Sequence, residues 1–321
     1  MKAVVCERYG SPDALERREV DKPIPADDEV LVRVRATSVN PVDWHGVTGT
    51  PYVARLQGGL RRPKSFAVGV DFAGQVEAVG RNVTELVRGD DVFGGRNGAF
   101  AEYVCVRNAV AVKPSNLTFE EAAAVPVAAI TALQGLRDKG ALERGQRVLV
   151  NGASGGVGTF AVQIAKALGA EVTGVCSTGN VELVRSLGAD QVVDYTREDF
   201  TRSGKHYDLL LDNAGSRSFS ACRRVLRSDG RLVVVGGPKT SKLLGPLTHM
   251  AATLAASKIR RQKAVAFLAK LNKEDLRVLT ELLEAGTVKP VIDRTYELAE
   301  IADALRYLGE GHARGKIVVT V

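Results

Sequence analysis

The run Asn151-Gly152-Ala153-Ser154-Gly155-Gly156-Val157-Gly158 follows the apolar segment Arg147 to Val150 and precedes the helix-like stretch Thr159 to Leu168. Glycine at 152, 155 and 158 permits a tight turn and lets main-chain amides approach a diphosphate closely. A helix starting there adds unpaired N–H groups and partial positive charge. Strand, glycine loop and helix in this order predict a dinucleotide site, with Gly152, Ser154, Gly155, Gly156, Val157 and Gly158 against the diphosphate.

The next strand ends in Gly174-Val175-Cys176-Ser177-Thr178-Gly179-Asn180, without the carboxylate that usually holds a ribose 2′-hydroxyl in NAD sites. Hydroxyls and helix-start amides over Cys176, Ser177, Thr178 and Asn180 suit a 2′-phosphate, which a carboxylate would repel. NADPH is therefore the expected cofactor. Ser177 and Thr178 equally fit a plain helix cap, compatible with either nicotinamide cofactor.

Alternating strands and helices must hold such a site. Apolar runs at Arg147 to Val150, Glu171 to Val175, Gln191 to Val193, Asp208 to Leu211 and Arg231 to Val235 alternate with helical stretches, which predicts a doubly wound parallel sheet. Before residue 115 the texture differs: β-like runs at Glu29 to Val39, Val70 to Val79 and Ala101 to Val106 are joined by Pro- and Gly-rich connections, the pattern of an irregular barrel. Thr118-Phe119-Glu120-Glu121 reads as a capping box where a second domain begins. Helix-period stretches at Lys273 to Ala285 and Glu297 to Leu308 follow, and Lys316 to Val321 reads as a strand able to rejoin the first domain. The segment Lys239 to Lys263 has no clear assignment and is a candidate lid; its apolar part, Met250 to Ala256, also fits a surface helix touching a membrane.

With 321 residues, 45% hydrophobic and 25% charged, the chain is neither disordered nor fibrous, and two domains are expected. Its longest apolar stretch, Ala122 to Leu136, is interrupted by Pro126, Thr131 and Gln134 and falls short of the ~20 residues a bilayer requires. No export signal is read at the start, so a cytoplasmic location is expected. Cysteines 6, 105, 176 and 222 lie too far apart for a zinc knuckle or redox pair and are expected to be reduced, buried thiols. The net charge of +7 concentrates in Arg61-Arg62-Pro63-Lys64 and Lys258 to Lys263, without interleaved aromatics, so a solvated face is expected rather than a specific nucleic-acid partner.

These residues resemble the medium-chain dehydrogenase/reductase superfamily and, within it, the zinc-independent quinone oxidoreductase and zeta-crystallin branch. The resemblance covers almost the whole chain. It is carried by Gly145-Gln146 through Gly158 to Gln163 and Lys166, with Asn40-Pro41-Val42-Asp43, Gly69 to Gly74, Gly89-Asp90-x-Val92-Phe93-Gly94 and Gly315-Lys316-Ile317-Val318. It implies a GroES-like substrate domain over 1–118 and 287–321, a Rossmann domain over 119–286, a site at their junction and a homodimer. It also implies cofactor contacts from Thr131, Tyr195 (with Arg197 in reserve), Asn213, Gly236, Gly237 and Lys316.

Where the alcohol dehydrogenases of this superfamily place zinc ligands, the chain has Asp43 and Gly69-Val70-Asp71. Catalytic zinc needs thiolate or neutral imidazole donors, so no metal is expected. Hydride delivery from NADPH to an already electron-poor quinone or enone is then the expected chemistry. Three residues are the catalytic candidates. Asn40 resembles the family's Asn beside the nicotinamide ribose, though an Asn-Pro turn explains it equally. Tyr52 lies one residue from the position of a proton-donating Tyr in enoyl reductases. His45 occupies a pocket-lining position and also fits an exposed loop histidine. The alternatives are an enoyl-thioester reductase, a zinc alcohol dehydrogenase, or a non-catalytic protein binding NADPH or RNA, as some zeta-crystallins do.

Overall fold

A computed structural model describes residues 1–236 and 262–321. Two compact units emerge: Met1–Ile130, Lys270–Gly286 and Pro290–Val321 form the first, Thr131–Ala269 and Thr287–Lys289 the second. The expected domain limits at 118/119 and 286/287 therefore shift. Helices Phe119–Ala123 and Lys273–Glu284 belong to the first unit, because both bury their apolar faces there. Thr118 does cap the former: its hydroxyl accepts from the Glu121 amide while the Glu121 carboxylate accepts from the Thr118 amide.

In the first unit, Val30–Val39 is the organising strand. Asp71–Val79 runs antiparallel along one edge; on the other, Tyr103–Val106 pairs with its first half and Lys316–Thr320 with its second. One strand with different partners at its two ends curves the sheet, as the GroES-like barrel requires. Asp91–Gly95, Val110–Val112 and Ile292–Glu297 complete it, and a hairpin of Lys2–Cys6 with Leu15–Glu19 attaches by bridges at Ala3–Ala101 and Val5–Ala67. Its interior is apolar, with Val32, Val34, Phe72, Val92 and Phe100 buried. That strand's far end, Thr37 to Asn40, is buried yet polar.

The second unit is a six-stranded, wholly parallel sheet in the order Gln191–Asp194, Glu171–Cys176, Arg147–Asn151, Tyr207–Asp212, Leu226–Val234, Lys263–Ala266. This is the doubly wound order, with its switch point beside Arg147–Asn151. The sixth strand lies inside and beyond the segment read as a lid. Apart from Gln262 and Lys263, that segment, with Gly237, the apolar Met250 to Ala256 and most of the second basic run, lies outside the described residues. Among the described residues no helix is long and apolar enough to cross a membrane. The cysteines are free thiols, three buried and Cys105 half-buried. Burial pushes the thiols of Cys176 and Cys222 up to about 11 and about 12, respectively, which makes them poor nucleophiles.

Candidate active site

In the second unit the glycine loop leaves Arg147–Asn151 and enters helix Gly156–Ala167, whose start at Gly155 has no side-chain cap. Its first-turn amides therefore have neither an intrahelical nor a side-chain acceptor. Gly152 sits at φ +78°, a region costly for other residues. The remaining two glycines differ in purpose. A Cβ on Gly158 would lie 2.0 Å from the Gly152 carbonyl oxygen, so glycine here permits loop and helix to pack. A Cβ on Gly155 meets nothing nearer than 3.7 Å; the space beside it is open. Gln163, further along this helix, clamps Lys289 by accepting from its amide and donating to its carbonyl.

The ends of three strands surround this loop. Asn151 donates to Asp212, which also accepts from the Gly215 amide. Gly236 leaves room for the Asn213 carbonyl, which a Cβ would meet at 2.1 Å. The Asn213 side chain has both polar atoms buried without a hydrogen-bond partner among the described residues. An unpartnered amide beside an open glycine cradle fits the ribose and diphosphate of a dinucleotide, since buried polar groups are costly unless bonded. Asn180 joins Ser154 and Ser177 through its Nδ2 at 3.1 Å each, bringing three expected contacts together. Cys176 lies buried beneath them.

Thr178 departs from expectation: its hydroxyl donates to Asp194 at 2.6 Å. Asp194 also accepts from Thr196 and pairs with Arg197 at 3.4 Å; the Thr178 hydroxyl holds its carboxyl below the usual range, with help from Thr196 and Arg197. Thr178 is thus tied to a carboxylate that Arg197 pairs with, and the next residue, Tyr195, stands 56% exposed. Thr131 is buried in helix Pro126–Leu133.

In the first unit the polar strand end forms a closed cluster. Asp71 accepts from Ser38 (2.7 Å), Asn40 (2.8 Å), the Val127 amide (2.9 Å) and the Lys316 ammonium (3.3 Å). Lys316, 3% exposed, also donates to Asn40 Oδ1 at 2.5 Å and the Val39 carbonyl at 3.4 Å, which occupies its three protons. Asn40 is 2% exposed with its amide spent on these partners, and its backbone N–H donates to Asp43. The structure thus places Asn40 and Lys316 as mutual partners within the protein, held by Asp71 and Asp43. Sequence reasoning treated those two carboxylates only as vacated ligand positions. Burial first, and then the Asp71 charge, pushes the Asp43 carboxyl up to about 8.

This shift has a signed consequence. The folded chain keeps a proton on Asp43 that the unfolded chain releases near pH 4, so the stabilisation is full below pH 4 and is lost as pH rises to about 8. In Asp43→Asn, the urea midpoint should fall less between pH 5 and pH 9 than in wild type; equal falls would contradict a protonated Asp43.

Asp43 also lines a cavity of about 390 Å³ in this unit, walled by Val42, Val68, Val70, His45, Arg55 and Lys64 among others. His45 lies at this pocket, half-buried in helix Pro41–Thr48 rather than in an exposed loop. Tyr52 is 44% exposed and does not line the cavity; its ring lies 4.5 Å from the Arg55 guanidinium.

A model of the alcohol dehydrogenase GroES-like domain matches residues 26–116, and one described as a zinc-binding dehydrogenase matches 187–319. The chloroplast envelope quinone oxidoreductase homolog of Arabidopsis thaliana is 36% identical, over 99% of this chain and 98% of that protein. The chain belongs to the medium-chain dehydrogenase/reductase superfamily, in its quinone oxidoreductase branch. Another member, the 2-methylene-furan-3-one reductase of Solanum lycopersicum, is 34% identical over 99% of this chain and 79% of its own. The quinone oxidoreductase of Coxiella burnetii superposes with a TM-score of 0.88 at 30% identity, covering 100% of this chain and 99% of that one.

For this dehydrogenase/reductase, zinc does not fit the residues present. Val70 offers no donor, Asp43 retains its proton to about pH 8 and is bonded to Asn40, and Asp71 is saturated beside an ammonium. Among the described residues, no group of three His, Cys, Asp or Glu side chains could hold a metal ion.

Proposed function

We propose that the protein is an NADPH-dependent, metal-independent reductase of quinones or α,β-unsaturated carbonyls. The observation that carries this reading is the open cradle at Gly155 and Asn213, combined with a donor set at Asp43, Val70 and Asp71 that cannot hold zinc. The names of the Arabidopsis and tomato relatives support the acceptor class.

Ser154, Gly155, Gly156, Val157 and Gly158 bind the diphosphate through main-chain amides, and Asn213 orients the adjoining ribose. Gly236 contacts the carboxamide; Gly237, expected beside it, lies outside the described residues. Ser177, Asn180 and Tyr195 hold the 2′-phosphate, with Arg197 offsetting the Asp194 charge. Thr131 contacts the nicotinamide. When bound, the nicotinamide supplies hydride to an electron-poor carbon. The cavity beside His45 takes the acceptor and keeps water from it, and a proton from its donors or from solvent completes the two-electron reduction to hydroquinone or saturated carbonyl. Asn40, Asp71 and Lys316 act as positioning residues, fixing the strand end and the helix Pro41–Thr48 that carries His45. A homodimer is part of the reading, joined through the outer edge of Lys263–Ala266.

The test is turnover of a panel of quinones, enones and enoyl thioesters by chelator-treated protein with NADPH and with NADH. Chelator-resistant reduction of quinones or enones is expected; absence of turnover, or dependence on added zinc, overturns the proposal. Ser177→Asp should shift cofactor preference toward NADH by about tenfold or more, by repelling the 2′-phosphate and offering a ribose acceptor. An unchanged ratio of NADPH to NADH efficiency would place the adenosine end elsewhere.

A further inference from the structure

Arg55 is a half-buried cation of the first unit. Its guanidinium lies between two aromatic rings, 4.4 Å from that of Tyr9 and 4.5 Å from that of Tyr52. Nε donates to the Gly49 carbonyl at 2.8 Å and Nη2 to the Thr48 carbonyl at 3.3 Å, while Tyr9 is fixed in turn by its hydroxyl bond to the Gly59 carbonyl. Gly49 is glycine because a Cβ there would lie 2.6 Å from both Arg55 Nε and the Tyr9 ring. Two bonds and two rings hold this half-buried cation, yet among the described residues no carboxylate pairs with it. Arg55 borders the cavity of about 390 Å³, as does Lys64, which likewise has no ion pair among the described residues.

The rest of the wall supplies contrast. Val42, Val68, Val70, Ala67 and Pro63 give it an apolar lining. The single carboxyl on the wall, Asp43, is bonded to the Asn40 amide and stays protonated to about pH 8. The cavity thus combines an apolar surface, a stacked planar fork donor and a second cation with no anion to balance them. A guanidinium fixed in this way binds a carboxylate or similar planar oxyanion without first losing rotamer entropy.

We propose that this cavity selects acceptors carrying an anionic oxyacid group, a carboxylate above all, with Arg55 as the specificity-determining residue and Lys64 as its support. The substrate class becomes an amphiphilic conjugated acceptor: a flat apolar body against the valines and a carboxylate at Arg55. The inference deepens the proposed reductase function and rests on this cavity being its acceptor site.

The test separates the two. Equilibrium binding of 2-naphthoate and its uncharged analogue 2-naphthamide should favour the acid by about tenfold in wild type. Arg55→Gln should abolish that preference, and Lys64→Gln, at an exposed position that folding does not need, should reduce it. In parallel, the ratio of kcat/KM for a sulfonated naphthoquinone over its uncharged parent should fall about tenfold in Arg55→Gln. Equal affinity for acid and amide in wild type, or a preference that survives both substitutions, overturns the subsite. Acid preference without reduction of any quinone or enone keeps the subsite and defeats the reductase reading; reduction of either without acid preference does the reverse.

Discussion

Gly155→Val will weaken NADPH binding by about 100-fold or more, on the order of 3 kcal/mol, with thermal unfolding of the apoprotein near that of wild type. The asymmetry between two glycines makes this result informative. At 155 the backbone has φ −84°, which valine adopts readily, and a Cβ finds its nearest neighbour 3.7 Å away. On the proposed reading, only the diphosphate is displaced. At 158 the same substitution drives a Cβ to 2.0 Å from the Gly152 carbonyl and 2.8 Å from Ala153, so Gly158→Val will lose fold stability along with affinity. Titration of NADPH fluorescence together with calorimetric melting of both variants distinguishes the cases. Wild-type affinity in Gly155→Val would mean that the diphosphate does not lie on this loop.

Lys316→Met should cost about 3 to 5 kcal/mol of stability, among the largest effects of any single side chain in the first unit. The ammonium is 3% exposed and answers the Asp71 carboxylate, which is fully buried. Removing it leaves an uncompensated charge and strips Asn40 Oδ1 of its donor. Adding Asp71→Asn to Lys316→Met should restore part of the loss, because the stranded charge disappears with the second substitution. Chemical denaturation of the two single variants and the double variant closes this cycle. Strictly additive losses would show that the pair does not interact, contrary to the geometry.

The parts of the molecule legible from sequence are those in which the backbone dictates residue type. Gly152 needs positive φ, Gly158 needs close packing, and Thr118 with Glu121 caps a helix through contacts three residues apart; each leaves a local signature. Period and flanking glycines revealed five of the six parallel strands. Lys263–Ala266 escaped because four residues after a basic run carry no periodicity to read. The buried cluster escaped for another reason. Lys316 and Asp71 are 245 positions apart, and nothing local to Gly315-Lys316 announces that its charge points inward. A lysine at the start of a strand otherwise made of Ile, Val and Thr was the available signal. Asp194 was hidden similarly, since its bond with Thr178 joins residues 16 positions apart. Arg55 gave no sign at all, since sandwiching by Tyr9 and Tyr52 depends on a loop conformation that the residue types alone do not specify.

The pairing of Val30–Val39 with Lys316–Thr320 bears on how the chain is made. The second unit is drawn almost wholly from one continuous stretch, so its parallel sheet can assemble as soon as that stretch has left the ribosome. The first unit is synthesised earlier but must wait: one half of its organising strand has no partner on that edge, and Asp71 no counter-ion, until codon 316 is translated. During elongation this half-finished barrel is the state most exposed to chaperones and to mispairing. An early stop shortly before that codon would leave the nucleotide-binding sheet complete beside a barrel unable to close.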